Sequence, residues 1–331
     1  MKHLFIINPR SFNKAEEMNK VITDCENIFG TADRDNYKTY ISRYRRDAVA
    51  VVYSYLSDIP ADETVRVYAI GGDGILFDCL NGIVDFPNAE LTSVPYGYAN
   101  DFVRAFGEGV KSAFRDIKKL SASPSRPVDI IRCGANYAIN GVNIGVGGQS
   151  ILYANAILRQ SSNKLISKIV PQIYKLAAIK AVLDKEVREQ EYKIYVDGEY
   201  VSDSFANIHV ANGPCNGKTM TPSPYAIADD GLLDVITIRS VKASKFVEVV
   251  RDYERGRFEK DKERYVYKRG KVVEVQSESP LLVEMDGEAF MADEMKFEII
   301  AGGINFFAPE NIWFADYSYM AKKGNKGRQK V

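Results

Sequence analysis

Three glycines within four residues, Gly71-Gly72-Asp73-Gly74, separate two stretches of opposite character and leave the chain few ways to fold around them. Upstream, Thr64 to Ile70 is rich in β-branched and aromatic residues, which predicts a buried strand. Downstream, Leu76, Cys79, Leu80 and Ile83 fall at i, i+3, i+4 and i+7, the apolar stripe of a helix. A strand therefore runs through a glycine turn into a helix. Such a turn leaves backbone N–H groups aimed at one point, with the positive end of a helix behind them, which suits a phosphate. Gly71, Gly72 and Gly74 also let a ligand approach the backbone closely. Asp73 is out of place in a bare anion cradle, because a carboxylate among phosphate-binding amides needs a cation. A Mg²⁺ bridging Asp73, directly or through water, to a nucleotide phosphate resolves the conflict. The chain has no G-x-x-x-x-G-K-[ST], and G-x-G-x-x-G is missing at this turn, so the phosphate mode differs from both familiar ones.

The rest of the first third repeats the alternation. His3 to Ile7 predicts a strand that ends in the turn Asn8-Pro9-Arg10-Ser11, and Met18, Val21, Ile22 and Cys25 mark a helix. A strand over Asn36–Ile41, a helix over Asp47–Leu56, a strand over Leu91–Pro95 and a helix after Asn100 follow. Alternating strands and helices predict a parallel sheet with helices on both faces, with ligands at the carboxyl ends of the strands. The turns Asn8–Ser11, Gly71–Gly74 and Pro95–Asp101 then share one rim. A proline- and serine-rich break, Ser121–Pro127, places a boundary near residue 125. Beyond it, strands are expected over Asp129–Cys133, Tyr137–Ile144, Tyr192–Val196, Ala206–Ala211, Leu233–Ile238, Val272–Gln276, Leu281–Met285 and Phe297–Ile300. Helices are expected over Ser150–Gln160, Leu165–Asp184 and Ala243–Tyr253. The expectation is an α/β nucleotide-binding domain over 1–125 and a mainly antiparallel β-sandwich domain for the substrate over 126–308, with residues 309–331 free to pack back on the first domain.

Composition narrows the chemistry. Lys+Arg and Asp+Glu number 44 each, so no global field attracts nucleic acid. Cys25, Cys79, Cys133 and Cys215 form no C-x-x-C pair and read as reduced core residues. His3 and His209 are the only histidines, which leaves acid–base work to carboxylates. No opening signal peptide and no window near the roughly 18 apolar residues of a membrane span are apparent, so a cytoplasmic protein with at most peripheral membrane contact is expected. The basic stretch Lys322–Lys330 reads as a solvated terminus or a weak attraction to anionic lipid. Helix Ser150–Gln160 reads as core, and Arg43, Arg45 and Arg46 as a solvated basic face.

At this point the motifs resemble the diacylglycerol kinase catalytic-domain family, which includes sphingosine kinases and bacterial soluble lipid kinases. Gly71-Gly72-Asp73-Gly74 with Asn81-Gly82 resembles its nucleotide-binding signature, and Asn8-Pro9-x-Ser11 its phosphate-contacting turn. Pro95-Tyr96-Gly97-Tyr98-Ala99-Asn100-Asp101-Phe102-x-Arg104 is similar to its P-x-G-T-x-N-D-F-x-R stretch. Asn140 to Gly148, Asn212-Gly213, Ala226–Asp234 and Asp286-Gly287-Glu288 match later segments in order. The resemblance implies an ATP- and Mg²⁺-dependent kinase acting on a lipid at a membrane surface. It further implies that Asn8, Pro9, Ser11, the glycine turn, Gly97, Asn100 and Asp101 hold the nucleotide, and that Asp73, Asp101 and Asp129 face Mg²⁺ through waters. Asp229 and Asp230, with Asp234, would contribute to a structural Mg²⁺ site. Asp286 would accept the proton of the lipid hydroxyl, with Glu288 orienting it or the metal waters.

Each role has a plainer counterpart. Asp286-Gly287 is also a strong hairpin signal, Asp101 also fits a helix start, worth about 0.5–1 kcal/mol, and Asp229, Asp230 and Asp234 also fit a turn before a strand. The chain departs from the family pattern at Ile75 in place of threonine, Asp78 in place of glutamate, Tyr98 in place of a small hydroxyl residue, and Phe12 in place of glycine. Two other readings follow: a kinase of a soluble hydroxyl compound such as NAD, and a nucleotide- or lipid-binding module without turnover. An edge strand of the β domain offers a homodimer contact.

Overall fold

The computed structural model of the protein describes residues 1–30, 36–159, 169–188, 190–240 and 242–322. In the first part, β1 (Lys2–Ile7), α1 (Ala15–Phe29), β2 (Tyr37–Ile41), α2 (Asp47–Ser57), β3 (Val65–Gly71), α3 (Asp73–Ile83) and β4 (Ala89–Pro95) alternate in order. The strands pair in parallel as β2-β1-β3-β4. Period-2 alternation divides β1 between two cores: Leu4 and Ile6 join Val52, Leu56, Leu76 and Leu80 of α2 and α3, while Phe5 and Ile7 join Val21 and Cys25 of α1. Both faces are therefore covered by helices, as a parallel sheet requires. Three single-turn helices, α4 (Asp101–Arg104), α5 (Lys111–Phe114) and α6 (Ile117–Leu120), close this part.

The second part comprises β5 (Ser125–Cys133), β6 (Asn136–Ala138), β7 (Gly141–Gly145), α7 (Val146–Arg159), α8 (Val170–Leu183), α9 (Lys185–Arg188), β8 (Glu191–Val196), β9 (Glu199–Ala211), β10 (Leu233–Arg239), α10 (Phe246–Tyr253), β11 (Tyr265–Gly270), β12 (Val272–Met285) and β13 (Glu288–Phe307), before α11 (Ser318–Lys322). Its strand pairs are antiparallel. The fold is thus an α/β domain with a parallel sheet followed by an antiparallel sandwich-like domain. β13 is the seam: it pairs with β12 and β5 antiparallel and, through Asn305 and Phe306, with β4 in parallel.

Several strand limits differ from expectation for physical reasons. The segment Tyr137–Ile144 breaks into β6 and β7 because the N–H groups of Ile139, Asn140 and Gly141 turn to the carboxylate of Asp286. Val272–Gln276 and Leu281–Met285 are one strand with an irregularity between Gln276 and Leu281, where Pro280 cannot donate to the ladder. β11 was not foreseen. Gln160 and Leu165–Lys168 of the two expected helices, and the basic stretch from Lys323 on, lie outside the described residues. Beyond β13, Trp313 and Phe314 pack on Phe106, and Ala315 N–H donates to the Ala105 carbonyl at 2.9 Å, so this segment lies against the first domain. Among the described residues no helix is long and apolar enough to cross a membrane.

Candidate active site

The three turns expected to share a rim meet at Gly71. Its carbonyl accepts from Tyr96 N–H (2.8 Å), Gly97 N–H (2.7 Å) and the Asn100 side-chain amide (2.8 Å). A Cβ on Gly71 would lie 3.0 Å from Ser11 Oγ and 3.1 Å from Asn8 Cβ, and one on Gly97 would lie 2.2 Å from the Gly72 Cα. Only glycine allows the Gly97 contact, because the obstacle is backbone. Asn8 closes its own turn by accepting from Arg10 N–H, with Pro9 at the start of the 3₁₀ turn over Pro9–Ser11. Above Gly74 the space is open, and the nearest atom to a Cβ there is Glu288 Oε1 at 4.0 Å. The β12–β13 hairpin thus brings Glu288 to the glycine turn, where it pairs with Arg45.

Asp73 begins α3 and accepts from the N–H groups of Asn100 (2.9 Å) and Asp101 (2.7 Å), so it caps α4. Asp101 in turn accepts from Gly217 N–H (2.6 Å) and Lys218 N–H (2.8 Å) and pairs with Arg104 at 3.1 Å. This carboxylate ties the first domain to a loop of the second. Asp286, at φ 47°, forms with Gly287, at φ 92°, the two-residue turn between β12 and β13. Its carboxylate accepts from Ile139 N–H (2.7 Å), Gly141 N–H (2.9 Å) and Asn140 N–H (3.2 Å). The hairpin and the functional reading coincide in one residue: the turn aims the carboxylate, and the broken strand holds it.

Asp73, Asp101, Glu284 and Asp286 act on one another electrostatically. Burial first, then Asp101 and Asp286, push Asp73 up to about 7, against the pull of its two amide donors. Burial raises Asp286 to about 6 and Glu284 to about 7, with Asp101 adding to both. Concentrated like charge at low dielectric favours the neutral forms unless a cation enters.

Asp129, Asp229 and Asp230 are not brought into this group. Asp129 accepts from Gly231 N–H and Gly302 N–H, both at 2.7 Å, and the acidic groups acting on it are Asp230 and Asp229. Asp229 accepts from the Trp313 indole at 2.7 Å, Asp230 pairs with Arg269, and Asp234 accepts from Tyr267 OH and Arg269 Nε. Arg269 therefore pairs with both Asp230 and Asp234, and no cluster of three or more metal-ligating side chains occurs among the described residues. Arg43 and Arg45 are exposed, as a solvated face implies, whereas Arg46 is half-buried: its N–H donates to Asp78 and its guanidinium lies 4.9 Å from the Phe77 ring centre. Ile75 is buried beneath Gly71, and Phe12 packs at a tilt against Tyr96 with ring centres 4.6 Å apart, so neither occupies the cradle. Tyr98 lies parallel to Tyr174 of α8 at 6.0 Å, with Lys218 Nζ 4.0 Å from its ring centre.

Several residues at the site escaped the sequence reading. Glu284 accepts from Asn143 Nδ2 at 2.6 Å and from Gly287 N–H, bracing the hairpin turn. Asn143 leads on to His209 Nδ1 (3.0 Å) and Tyr253 OH (3.3 Å), and burial lowers His209 to about 4, so it is neutral. Tyr174 is pushed up to about 12 by burial, Asp73 and Glu284. Glu284 alternates with Val283 and Met285 and reads as solvent-facing; only the cross-strand partner Asn143 reveals the second buried face. The Asn140 and Asn212-Gly213 segments do meet, because Asn212 and Gly213 N–H both donate to the Asn140 carbonyl.

Known proteins resemble the chain over both of its parts. Residues 2–133 match the diacylglycerol kinase catalytic domain, and residues 152–308 match the YegS C-terminal NAD kinase beta sandwich-like domain. The chain is 27% identical over 268 residues to a protein of Shewanella frigidimarina named "Probable lipid kinase YegS-like", covering 78% of this chain and 81% of that one. It is 24% identical over 225 residues to the diacylglycerol kinase of Bacillus subtilis, covering 67% and 70%. A crystal structure of a diacylglycerol kinase from Bacillus anthracis superposes with a TM-score of 0.65 at 21% identity, over 93% of this chain and 97% of that one. Residues 2–133 are thus a domain of the diacylglycerol kinase catalytic type, and residues 152–308 a C-terminal domain of the YegS type.

Proposed function

We propose that the protein transfers the γ-phosphoryl group of ATP to the hydroxyl of a membrane lipid such as diacylglycerol. The observation that carries this reading is the Asp286 carboxylate, held by three backbone N–H groups at the domain junction beside Asp73 and Asp101. Gly71, Gly72, Gly74 and Gly97, with Asn8 and Ser11 alongside, present backbone rather than bulk to the phosphates. Asp286 takes the proton of the lipid hydroxyl, the freed oxygen forms a bond to the γ-phosphorus, and the bond to the β–γ bridging oxygen breaks to release ADP. Glu284 and Asn143 keep the turn rigid while this happens.

The residues present fit Mg²⁺ only through water. Both Asp73 oxygens already accept amides, yet the mutual elevation of Asp73, Glu284 and Asp286 is what a cation would relieve. Asp73 and Asp101 are the residues to face its waters, in keeping with an ion that retains much of its hydration. When bound, the ion supplies neutralisation of phosphate charge.

The test is incubation of the purified chain with labelled ATP, Mg²⁺ and vesicles containing diacylglycerol, monoacylglycerol or a sphingoid base. Label is expected in diacylglycerol and absent with Asp73→Asn. No label in any of the three lipids overturns the reading.

A further inference from the structure

Lysine is a costly residue to hold in a left-handed conformation, yet Lys218 stands at φ 71°, directly after Gly217 at φ 63°. The two form the tip of a tight turn in the loop between β9 and β10, closed by Asn216 N–H donating to the Met220 carbonyl at 3.1 Å. Both tip N–H groups donate to Asp101, and Arg104 Nη1 donates to the Met220 carbonyl at 3.3 Å, so the first domain grips the turn at two points. Glycine would take the same φ without strain. A strained residue kept in place by its neighbours directs attention to its side chain.

The Lys218 side chain is exposed, and its backbone stands one hydrogen bond from Asp101, whose own N–H donates to Asp73 at 2.7 Å. Among the described residues the ammonium pairs with no carboxylate; it rests 4.0 Å from the centre of the Tyr98 ring, in the turn that packs Gly97 against Gly72. Three neighbouring cations are committed elsewhere: Arg104 to Asp101, Arg45 to Glu288, and Lys111 to the Ala99 carbonyl at 2.8 Å. A cation on an exposed tyrosine face gains little, and a flexible four-carbon stem lets it exchange the ring for a stronger partner. A phosphate oxygen is such a partner, because hydrogen bonds between ionised groups are about twice as strong as neutral ones. Position selects which phosphate. The glycine turns that suit phosphates belong to the first domain, and Asp286, the candidate base, to the second. A phosphoryl group in transfer lies between them, and Lys218 reaches the first domain's turn from the second domain's side.

We propose that Lys218 leaves Tyr98 to bind the terminal phosphate of ATP, keeping its proton and stabilising the charge on the phosphoryl oxygens during transfer. The proposal rests on the reading of the chain as an ATP-dependent kinase. Calorimetry of the full chain with Mg-ATP and with Mg-ADP tests it without turnover. Lys218→Gly is expected to lose about tenfold or more in ATP affinity and to keep ADP affinity within about twofold. It should unfold at or above the wild-type temperature, because glycine takes φ 71° freely. Lys218→Asn also suits the left-handed region and should give the same pair of affinities. With labelled ATP and diacylglycerol vesicles, transfer by either variant should fall about 10²-fold or more. The proposal is overturned if either variant binds ATP within about twofold of the wild type. It is overturned equally if ADP affinity falls as far as ATP affinity, since the lysine then serves only to hold the turn. A wild type that shows the ATP-specific loss in its variants but labels no lipid sinks the kinase reading and leaves the phosphate contact standing. Wild-type transfer by Lys218→Gly does the reverse, and a wild type that binds no ATP overturns both.

Discussion

Replacing Asp286 by asparagine separates its two roles. Asparagine tolerates the left-handed conformation at φ 47°, so the hairpin turn survives. The carboxylate now collects three amide donors at 2.7–3.2 Å. An asparagine offers one oxygen and points an NH₂ group at a backbone N–H, forfeiting at least one charge-assisted bond, about 2 kcal/mol. For a domain of this size that lowers the unfolding temperature by about 4–8 °C. Loss of the general base lowers phosphoryl transfer by about 10²–10⁴-fold. ATP affinity should hold within about twofold, because the glycine turns are untouched. Transfer is followed with labelled ATP and diacylglycerol vesicles, affinity by calorimetry and unfolding by circular dichroism. In the wild type, the rate should rise with pH through a midpoint near 6, where Asp286 ionises. Wild-type transfer by Asp286→Asn would refute the role as base, and an unchanged unfolding temperature would refute the hydrogen-bond accounting.

Two further outcomes follow from the same geometry. Gly97→Ala places a Cβ 2.2 Å from the Gly72 Cα, and since both are backbone the loops must separate; calorimetry should show loss of ATP binding, with a lowered unfolding temperature. Glu284 has a folded value near 7, above its ordinary 4.5, so its contribution to stability is full below about pH 4.5 and is lost as pH rises through 7. Thermal unfolding between pH 4 and 8 should therefore show a steeper fall for the wild type than for Glu284→Gln, and equal slopes would contradict the burial of this carboxylate.

The strand, glycine turn and helix around Gly71–Gly74 were legible because local rules govern them: β-branched content, 3.6-residue spacing and the freedom of glycine. The same rules marked the parallel sheet and the matched turns at Asn8 and Gly97, and the motif order pointed to the kinase family. Partnership was not legible. The family resemblance implied the same metal-facing role for Asp129 as for Asp101, yet strand pairing sends Asp129 to Gly231 and Gly302 while Asp101 reaches Gly217 across the junction. Arg45 is at the surface, as it read, but only the hairpin brings Glu288 beside it. Sequence alone determined which segments bend and which residues can carry charge, because those depend on neighbours along the chain. Tertiary structure decided which carboxylates share a site, that Arg269 satisfies Asp230 and Asp234, and that Lys218 rests on Tyr98. Electrostatics and burial act through space, and the distances that set them exist only once the two sheets have joined at β13.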